Sequence, residues 1–380
     1  MDRRQFIVSA SALSLAAALP VKGARPERRL LVLVELKGGN DGLNTLVPID
    51  DPLYRRLRPR LAIDRSDALG LTAAHGLHPS LQSLRKIWDA GELAIVQAVG
   101  YPEPNLSHFR SIEIWDTASR SDEYRDEGWL SRGFAQRPSP AGFAADGVVV
   151  GSSDLGPLAG TGGRVIALTD PDQFLRLARL ARPDAMASGN ASLAHVLRVE
   201  REIQRSADRL HAGREFRTAF PAGPFGNAVR VAAQLAANRE GIAVVRITHD
   251  GFDTHANQAP AHANLLRQLD QGLAALRDAL REIGRWDETI IATYAEFGRR
   301  PRENESGGTD HGTASVHFVL GGGVKGGLVG ESLQLDRLDA TGNPAHQLDF
   351  RDYFGALAST CLGWPGTVAP AGGGTRPEFA

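Results

Sequence analysis

The sequence predicts an α/β domain with a mostly parallel central sheet and helices on both faces. Three observations lead there. Several short segments are apolar almost without interruption, as strands covered on both faces must be. Between them lie segments with apolar residues at helical spacing. The polar and Gly-rich stretches fall just after the apolar runs, where open α/β sheets bind ligands.

Leu30–Leu36 (Leu-Leu-Val-Leu-Val-Glu-Leu) is the clearest strand, and it stops at Gly38-Gly39-Asn40-Asp41-Gly42. Leu81–Ala90 has helical spacing and ends at Gly91. Leu93–Val99 reads as a second buried strand, with 147–151 and 165–168 as weaker ones. Residues 169–240 read as a mainly helical insertion, including 191–214 and 225–238. Gly241–Ile247 is a strand, and 262–286 is a long amphipathic helix with Leu265, Leu266, Leu269, Leu273, Leu276 and Leu280 on one side. Thr289–Tyr294 and Val316–Leu320 are further strands, and 349–361 is the last helix. The domain is expected over 26–365, followed by a loose Gly-rich tail at 366–380.

Residues 1–25 have a different character. Arg3 and Arg4 precede a mild Ala- and Ser-rich apolar stretch, which Pro20 and Gly23 break. This is the pattern of a cleaved export signal of the twin-arginine class, making the twin-arginine translocase an expected partner and the location periplasmic or secreted. The apolar stretch is too short for a span of about 20 residues, and no later one reaches that length. The net charge of −1 supplies no global field for nucleic acid. The one cysteine, Cys361, excludes an internal disulfide and a thiolate-rich metal site.

Polar residues gather after the predicted strands. Asp41 follows the first, and Ser107-His108 follows the Leu93 strand. Asp253-Thr254-His255 follows the Gly241 strand, Glu296-Phe297-Gly298-Arg299 follows the Thr289 strand, and Asp310-His311 precede the Val316 strand. Carboxylates and imidazoles from separate strand ends can meet over one rim. That donor set suits a divalent ion such as Zn²⁺, Mn²⁺, Mg²⁺ or Ca²⁺, and a hydroxyl beside such an ion can act as a nucleophile. Each piece also has a structural reading: Asp41 as a turn residue, Ser107 as a helix cap, Glu296 as a partner of Arg299 or Arg300, and the Asp–His pairs as loop hydrogen bonds. The Gly-rich loops lack the spacing of a dinucleotide fingerprint and the Lys-Ser/Thr of a phosphate loop.

These segments resemble a family of twin-arginine-exported bacterial proteins, domain of unknown function 1501, related to the alkaline phosphatase and sulfatase superfamily. The resemblance rests on Leu36–Asn44, Pro104–Ser111, Asp253–Gln258, Glu296–Arg300 and Gly307–Ala314. It implies an alkaline phosphatase-like fold and a metal-dependent hydrolase of phosphate or sulfate esters. In that superfamily's pattern Asp41 looks like the first metal ligand and Ser107 like the nucleophile. Asp253 and His255 look like the next ligand pair, Glu296 stands for an Asp, His311 looks like the last His, and Asp310 is a substitute ligand. Arg110 and Arg299 are expected to grip the anion of a small anionic ester or glycan-type substrate. Phe297 stands where the superfamily has a metal-binding His, and Asp253 and His255 are closer than its usual spacing, with His262 as a substitute. These departures favour a second reading, a non-catalytic exported binding protein that kept the fold and lost metal ligands.

Overall fold

The apolar runs become the middle of a nine-stranded sheet. The computed structural model describes residues 29–169, 215–365 except 239, and 374 and 376–379. The expected export signal and the 191–214 segment lie outside the described residues. Strand β1 (Leu30–Lys37) lies between β8 (Ile242–Asp250) and β9 (Thr289–Tyr294); β6 (Ala145–Val150) and β7 (Val165–Leu168) continue beyond β8. Beyond β9 come β12 (Ala314–Leu320), β5 (Leu93–Gly100) and β13 (Gly327–Val329), with β14 (Leu348–Asp349) also paired to β5. All pairings in this sheet are parallel except the two made by β12. Two small sheets flank it: β2 (Leu46–Pro48), β3 (Leu69–Gly70) and β4 (His75–Leu77), and the pair β10 (Gly298–Arg299) with β11 (His311–Gly312).

Burial on both faces explains the continuous apolar run of β1. Val32, Val34 and Leu36 join one core cluster, and Leu31 and Leu33 join the other. Each such side chain contributes about 1.5–3 kcal/mol by leaving water. The first cluster packs α3 (Gln82–Asp89), α6 (Pro224–Ala236) and α7 (Gln258–Glu282) on the sheet. The second packs α4 (His108–Thr117), α5 (Trp129–Gln136) and α8 (Phe350–Leu362) on the other face. Two short helices, α1 (Gly42–Thr45) and α2 (Pro52–Leu57), follow β1. Helix α7 starts four residues before the His262 expected from its apolar stripe, and a separate 3₁₀ turn, Trp286–Glu288, takes its expected end.

Glu35 interrupts β1 on the second face, and its neighbours answer it. Arg246 on β8 lies 2.8 Å from its carboxylate and also donates to the Tyr294 hydroxyl of β9 at 2.8 Å. A charge buried without such partners would cost several kcal/mol.

The reversed strand decides where chemistry can occur. Because β12 runs against both β5 and β9, those two point the same way, as do β1 and β8. The carboxyl ends of β1, β5, β8 and β9 therefore share one rim with the amino end of β12. The segments after the first four strands and the His311 segment before β12 all reach this rim.

Candidate metal centre

The exit from β1 sets the floor of the site. Gly38 and Gly39 have φ of 110° and 82°, a region other residues rarely adopt. A Cβ on Gly38 would lie 2.4 Å from the Asp253 amide, and one on Gly39 would lie 2.5 Å from the Phe297 ring. The two glycines thus let the chain pass between the β8 and β9 exits. The Gly38 amide donates to Glu296 Oε1 at 2.9 Å.

Three imidazoles from three elements surround Asp253. His108, the first residue of α4, puts Nε2 3.3 Å from Asp253 Oδ2. His311 of β11 puts Nε2 3.2 Å from Asp253 Oδ1, and His255 Nε2 lies 3.1 Å from the same oxygen. Ligand atoms of His108, Asp253 and His311 all lie within 4.8 Å of one another. The Phe297 ring packs beside His108 and His311, with ring centroids 4.9 and 4.3 Å away.

The far nitrogen of each ring is tied down. His108 Nδ1 donates to Glu296 Oε1 at 2.9 Å, His311 Nδ1 to the Leu106 carbonyl at 2.7 Å, and His255 Nδ1 to Asp310 Oδ1 at 3.3 Å. A proton fixed on Nδ1 leaves a lone pair on Nε2. His255 and His311 then face each other Nε2 to Nε2 at 2.9 Å. Two lone pairs at that distance repel unless a proton or a metal cation lies with them. Carboxylate or carbonyl partners behind ligand imidazoles are the usual supporting shell of a metal site, so these residues fit a divalent ion. Several imidazoles with one carboxylate suit Zn²⁺ or a similar transition ion better than Mg²⁺ or Ca²⁺.

The charges are graded. Burial pushes the Asp253 carboxyl up, but the hydrogen bond and charge of Arg299, with His311 and His255, outweigh it and hold the group at about 2. The hydrogen bond that His108 donates to Glu296 raises His108 above the ordinary imidazole value, against the effect of burial, and the charges of Glu296 and Asp253 add to it. Burial lowers His311, and the Leu106 carbonyl and Asp253 only partly offset this. Asp253 is therefore an anion at neutral pH, and His311 presents a free lone pair.

The expected site residues divide between this cluster and its surroundings. Asp253, His255 and His311 lie in it. Glu296 and Asp310 stand behind His108 and His255 and orient them. Asp41 lies elsewhere: it is buried, pairs with Arg58 Nη1 at 2.6 Å and accepts from Gln258 Nε2 at 2.5 Å. Burial raises its carboxyl, and Arg58 outweighs that and lowers it. His262, the substitute ligand, is buried and hydrogen-bonded to Asn40 at 2.9 Å. Arg299 is buried and stitches the rim together, donating to Gly38, Gly39, Phe252 and Thr309 carbonyls and to Asp253 at 2.6 Å. Arg110 donates to the backbone of Ser121 and Glu123, pairs with Glu113 at 2.9 Å and stacks on Tyr124 at 3.8 Å. Neither arginine is placed to hold an external anion. Ser107 is exposed at the N-cap of α4. Its hydroxyl makes no hydrogen bond among the described residues, while its amide donates to Asn105 Oδ1 at 2.9 Å.

Sequence reasoning missed His108 as a site residue, although its segment stood out. The one signal was its place beside Ser107 at a helix start. It also missed Arg58, whose value lies in a contact 17 residues back in the chain.

A mostly parallel α/β sheet with imidazoles and a carboxylate gathered at its carboxyl rim defines an α/β protein with a rim cluster that could hold a metal ion. Within that class, the chain belongs to the family described as "Protein of unknown function (DUF1501)", whose model matches residues 94–352. The family expected from the sequence motifs is thus the observed one. No curated protein matches the chain. Among solved structures, it is similar to a protein in the alkaline phosphatase superfamily from Vibrio parahaemolyticus, with 11% identity and a TM-score of 0.42 over 88% of this chain and 66% of that one. It is likewise similar to the soluble domain of lipooligosaccharide phosphoethanolamine transferase A from Neisseria meningitidis, with 12% identity and a TM-score of 0.42 over 88% of each chain.

Proposed function

We propose that this protein is a metal-dependent hydrolase of phosphate or sulfate esters, with Ser107 as its nucleophile. The observation that carries the reading is the convergence of His108, Asp253 and His311 with each imidazole's Nδ1 already bonded. These three residues would hold the ion, with His255 at its edge. Such an ion supplies Lewis acidity and makes a nearby hydroxyl easier to deprotonate.

The chain's own groups do the rest. Ser107 ends the loop after β5, and its free hydroxyl sits one residue from His108. The first amides of α4, a ten-residue helix, form a positive end suited to an anionic ester. Ser107 Oγ bonds to phosphorus or sulfur, the bond to the alcohol oxygen breaks, and that oxygen leaves with a proton. Water then cleaves the seryl ester, restoring the hydroxyl and releasing the inorganic anion. Asp253, already ionised, keeps the donor set anionic across the neutral range.

A second reading is a non-catalytic binding protein, favoured by two contacts. Arg299 already pairs with Asp253 at 2.6 Å, and Phe297 covers the ring faces of His108 and His311 with an apolar surface. Elemental analysis of protein purified without chelator separates the two. Stoichiometric zinc or manganese, with turnover of 4-nitrophenyl phosphate or sulfate lost in Ser107→Ala, is the expected result. Protein free of metal and inactive on both esters would replace the hydrolase reading with the binding one.

The Arg3-Arg4 pair and the apolar stretch after it support export by the twin-arginine route and a periplasmic or secreted location. No helix among the described residues is long and apolar enough to cross a membrane. Retention of an Arg3→Lys, Arg4→Lys double variant inside the cytoplasm is the expected result; unchanged export would remove this assignment.

A further inference from the structure

The loop that carries Ser107 has little of its own to hold it. Pro102, Glu103, Asn105 and Ser107 are exposed, and Glu103 has φ of 52°, a conformation that is costly for a residue other than glycine. Yet a reacting group misplaced by about 1 Å can lose about a hundredfold in rate. What fixes this loop lies beneath it, in two hydroxyl groups that take no part in the proposed reaction. Tyr101, the first residue after β5, is 2% exposed, and Ser111, in the first turn of α4, is 0% exposed.

These hydroxyls form a chain with one direction. The Ser111 hydroxyl donates to the Glu296 carbonyl. Its proton is then committed, so its oxygen accepts from the Tyr101 hydroxyl, 2.8 Å away. The Tyr101 oxygen in turn accepts from the Asn105 amide at 3.1 Å. The Asn105 carbonyl, the other acceptor open to Tyr101, is farther, at 3.2 Å. Burial pushes the Tyr101 hydroxyl above its ordinary value, so it keeps the proton it donates. The Phe350 ring packs edge-on against Tyr101, with centroids 5.5 Å apart. Buried hydrogen bonds aligned head to tail polarise and strengthen one another.

Both ends of the chain belong to the candidate site. Asn105 Oδ1 accepts from the Ser107 amide at 2.9 Å and so carries the constraint to the nucleophile. Glu296 carries it to the ligand cluster, because its carboxylate holds His108 Nδ1 at 2.9 Å. A second tie runs in parallel, where the Leu106 carbonyl accepts from His311 Nδ1 at 2.7 Å. An ion on Nε2 of His108 and His311 would fix both rings, and with them Glu296 and Leu106.

We propose that Tyr101 and Ser111 are positioning residues: through the chain Asn105–Tyr101–Ser111–Glu296 they set Ser107 against the ion held by His108, Asp253 and His311, and the ion steadies the Ser107 loop in return. The proposal rests on the hydrolase reading above and deepens it. A chain cut at one link no longer transmits, so removing both hydroxyls should do no more than removing the more important one.

Tyr101→Phe and Ser111→Ala each delete one hydroxyl, and urea unfolding checks that both variants and the double variant fold. The first measurement needs no turnover. It is backbone hydrogen exchange over residues 102–108 in chelator-treated protein, with and without Zn²⁺. Zn²⁺ is expected to slow exchange several-fold in the native chain, and to lose most of that effect in each variant. Zn²⁺ affinity, from calorimetry, should weaken by no more than the same factor, because the coupling is reciprocal. The second measurement is turnover of 4-nitrophenyl phosphate at saturating Zn²⁺. There kcat should fall about tenfold or more in each variant, with KM little changed and no further loss in the double variant. A Zn²⁺ effect on exchange that is absent from the native chain, or unchanged in both variants, overturns the proposal. So does a native kcat in both variants, or a loss of Zn²⁺ affinity as large as the loss in kcat, which would mark the hydroxyls as supports of the ion ligands alone. An exchange effect that both variants abolish, with no ester turned over by the native chain, instead marks failure of the hydrolase reading alone.

Discussion

Replacing Glu296 by Gln removes the negative charge behind His108 while keeping the length of the side chain. In the native protein Glu296 Oε1 accepts from the Gly38 amide and from His108 Nδ1, both at 2.9 Å, and the side chain is 3% exposed. Glutamine can keep both contacts through its carbonyl oxygen, so the fold should survive. What it loses is charge assistance. A hydrogen bond to an ionised group is worth about 1 kcal/mol more than a neutral one, up to about 2 when buried. Transmitted through the ring, that weakens metal binding by about 5–30-fold, in line with changes to outer-shell partners elsewhere. His311→Ala removes a donor atom itself and should cost more. Glu296 also raises the affinity of His108 for protons, and protons compete with the ion for Nε2. Native affinity should therefore fall as pH drops through the raised His108 value, and the Glu296→Gln deficit should be larger at pH 8 than at pH 6. The assay is calorimetric titration of chelator-treated, dialysed protein with Zn²⁺ at both pH values. Native affinity in Glu296→Gln, a loss in His311→Ala no greater than in Glu296→Gln, or a deficit that grows toward acid would refute the assigned roles.

Asp41→Asn should destabilise the fold by about 3–5 kcal/mol, because it leaves the buried Arg58 without its counter-charge; urea unfolding measures this, and metal stoichiometry should stay at the native value. Gly38→Ala would force a Cβ to within 2.4 Å of the Asp253 amide; the Asp253 loop must move, so metal affinity should fall, as calorimetry would detect. Stability should also decline below about pH 6.5, the value of an unperturbed imidazole. His78, held at about 4, and His262 and His317, each at about 3, are buried mainly as neutral rings, so the unfolded chain takes up their protons first. At pH 4.5 a fully buried ring of this kind costs about 3 kcal/mol relative to pH 7. His317→Phe should remove about one such share, because His317 has no hydrogen-bond partner in the described structure and lies parallel to Tyr353 with centroids 5.8 Å apart. Equal native unfolding free energies at pH 7 and pH 4.5 would contradict this.

The layers of the fold were legible because each central strand is covered on both faces, and continuous runs such as 30–36 and 93–99 encode that burial without needing tertiary information. Strand direction is different. Val316–Leu320 reads like its neighbours, and nothing in an apolar run says which end meets the rim. Only the pairing with β5 and β9 shows that β12 is reversed, and that reversal brings His311, which precedes a strand, to residues that follow strands. The division of labour among the polar residues was hidden for a related reason. Asp41 follows a Gly-rich turn as a first metal ligand would, yet its role depends on Arg58, which in sequence sits among Arg55, Arg56 and Arg60 and looks like a surface charge. Placed in the interior, Arg58 donates to Asp41, to Asn44 and to the Arg300 and Pro301 carbonyls. A guanidinium with that many partners holds Asp41 as a strut between the β1 exit and the loop after β10. On the proposed reading the ligand role falls instead to Asp253, whose carboxylate is 45% exposed and so open to an ion.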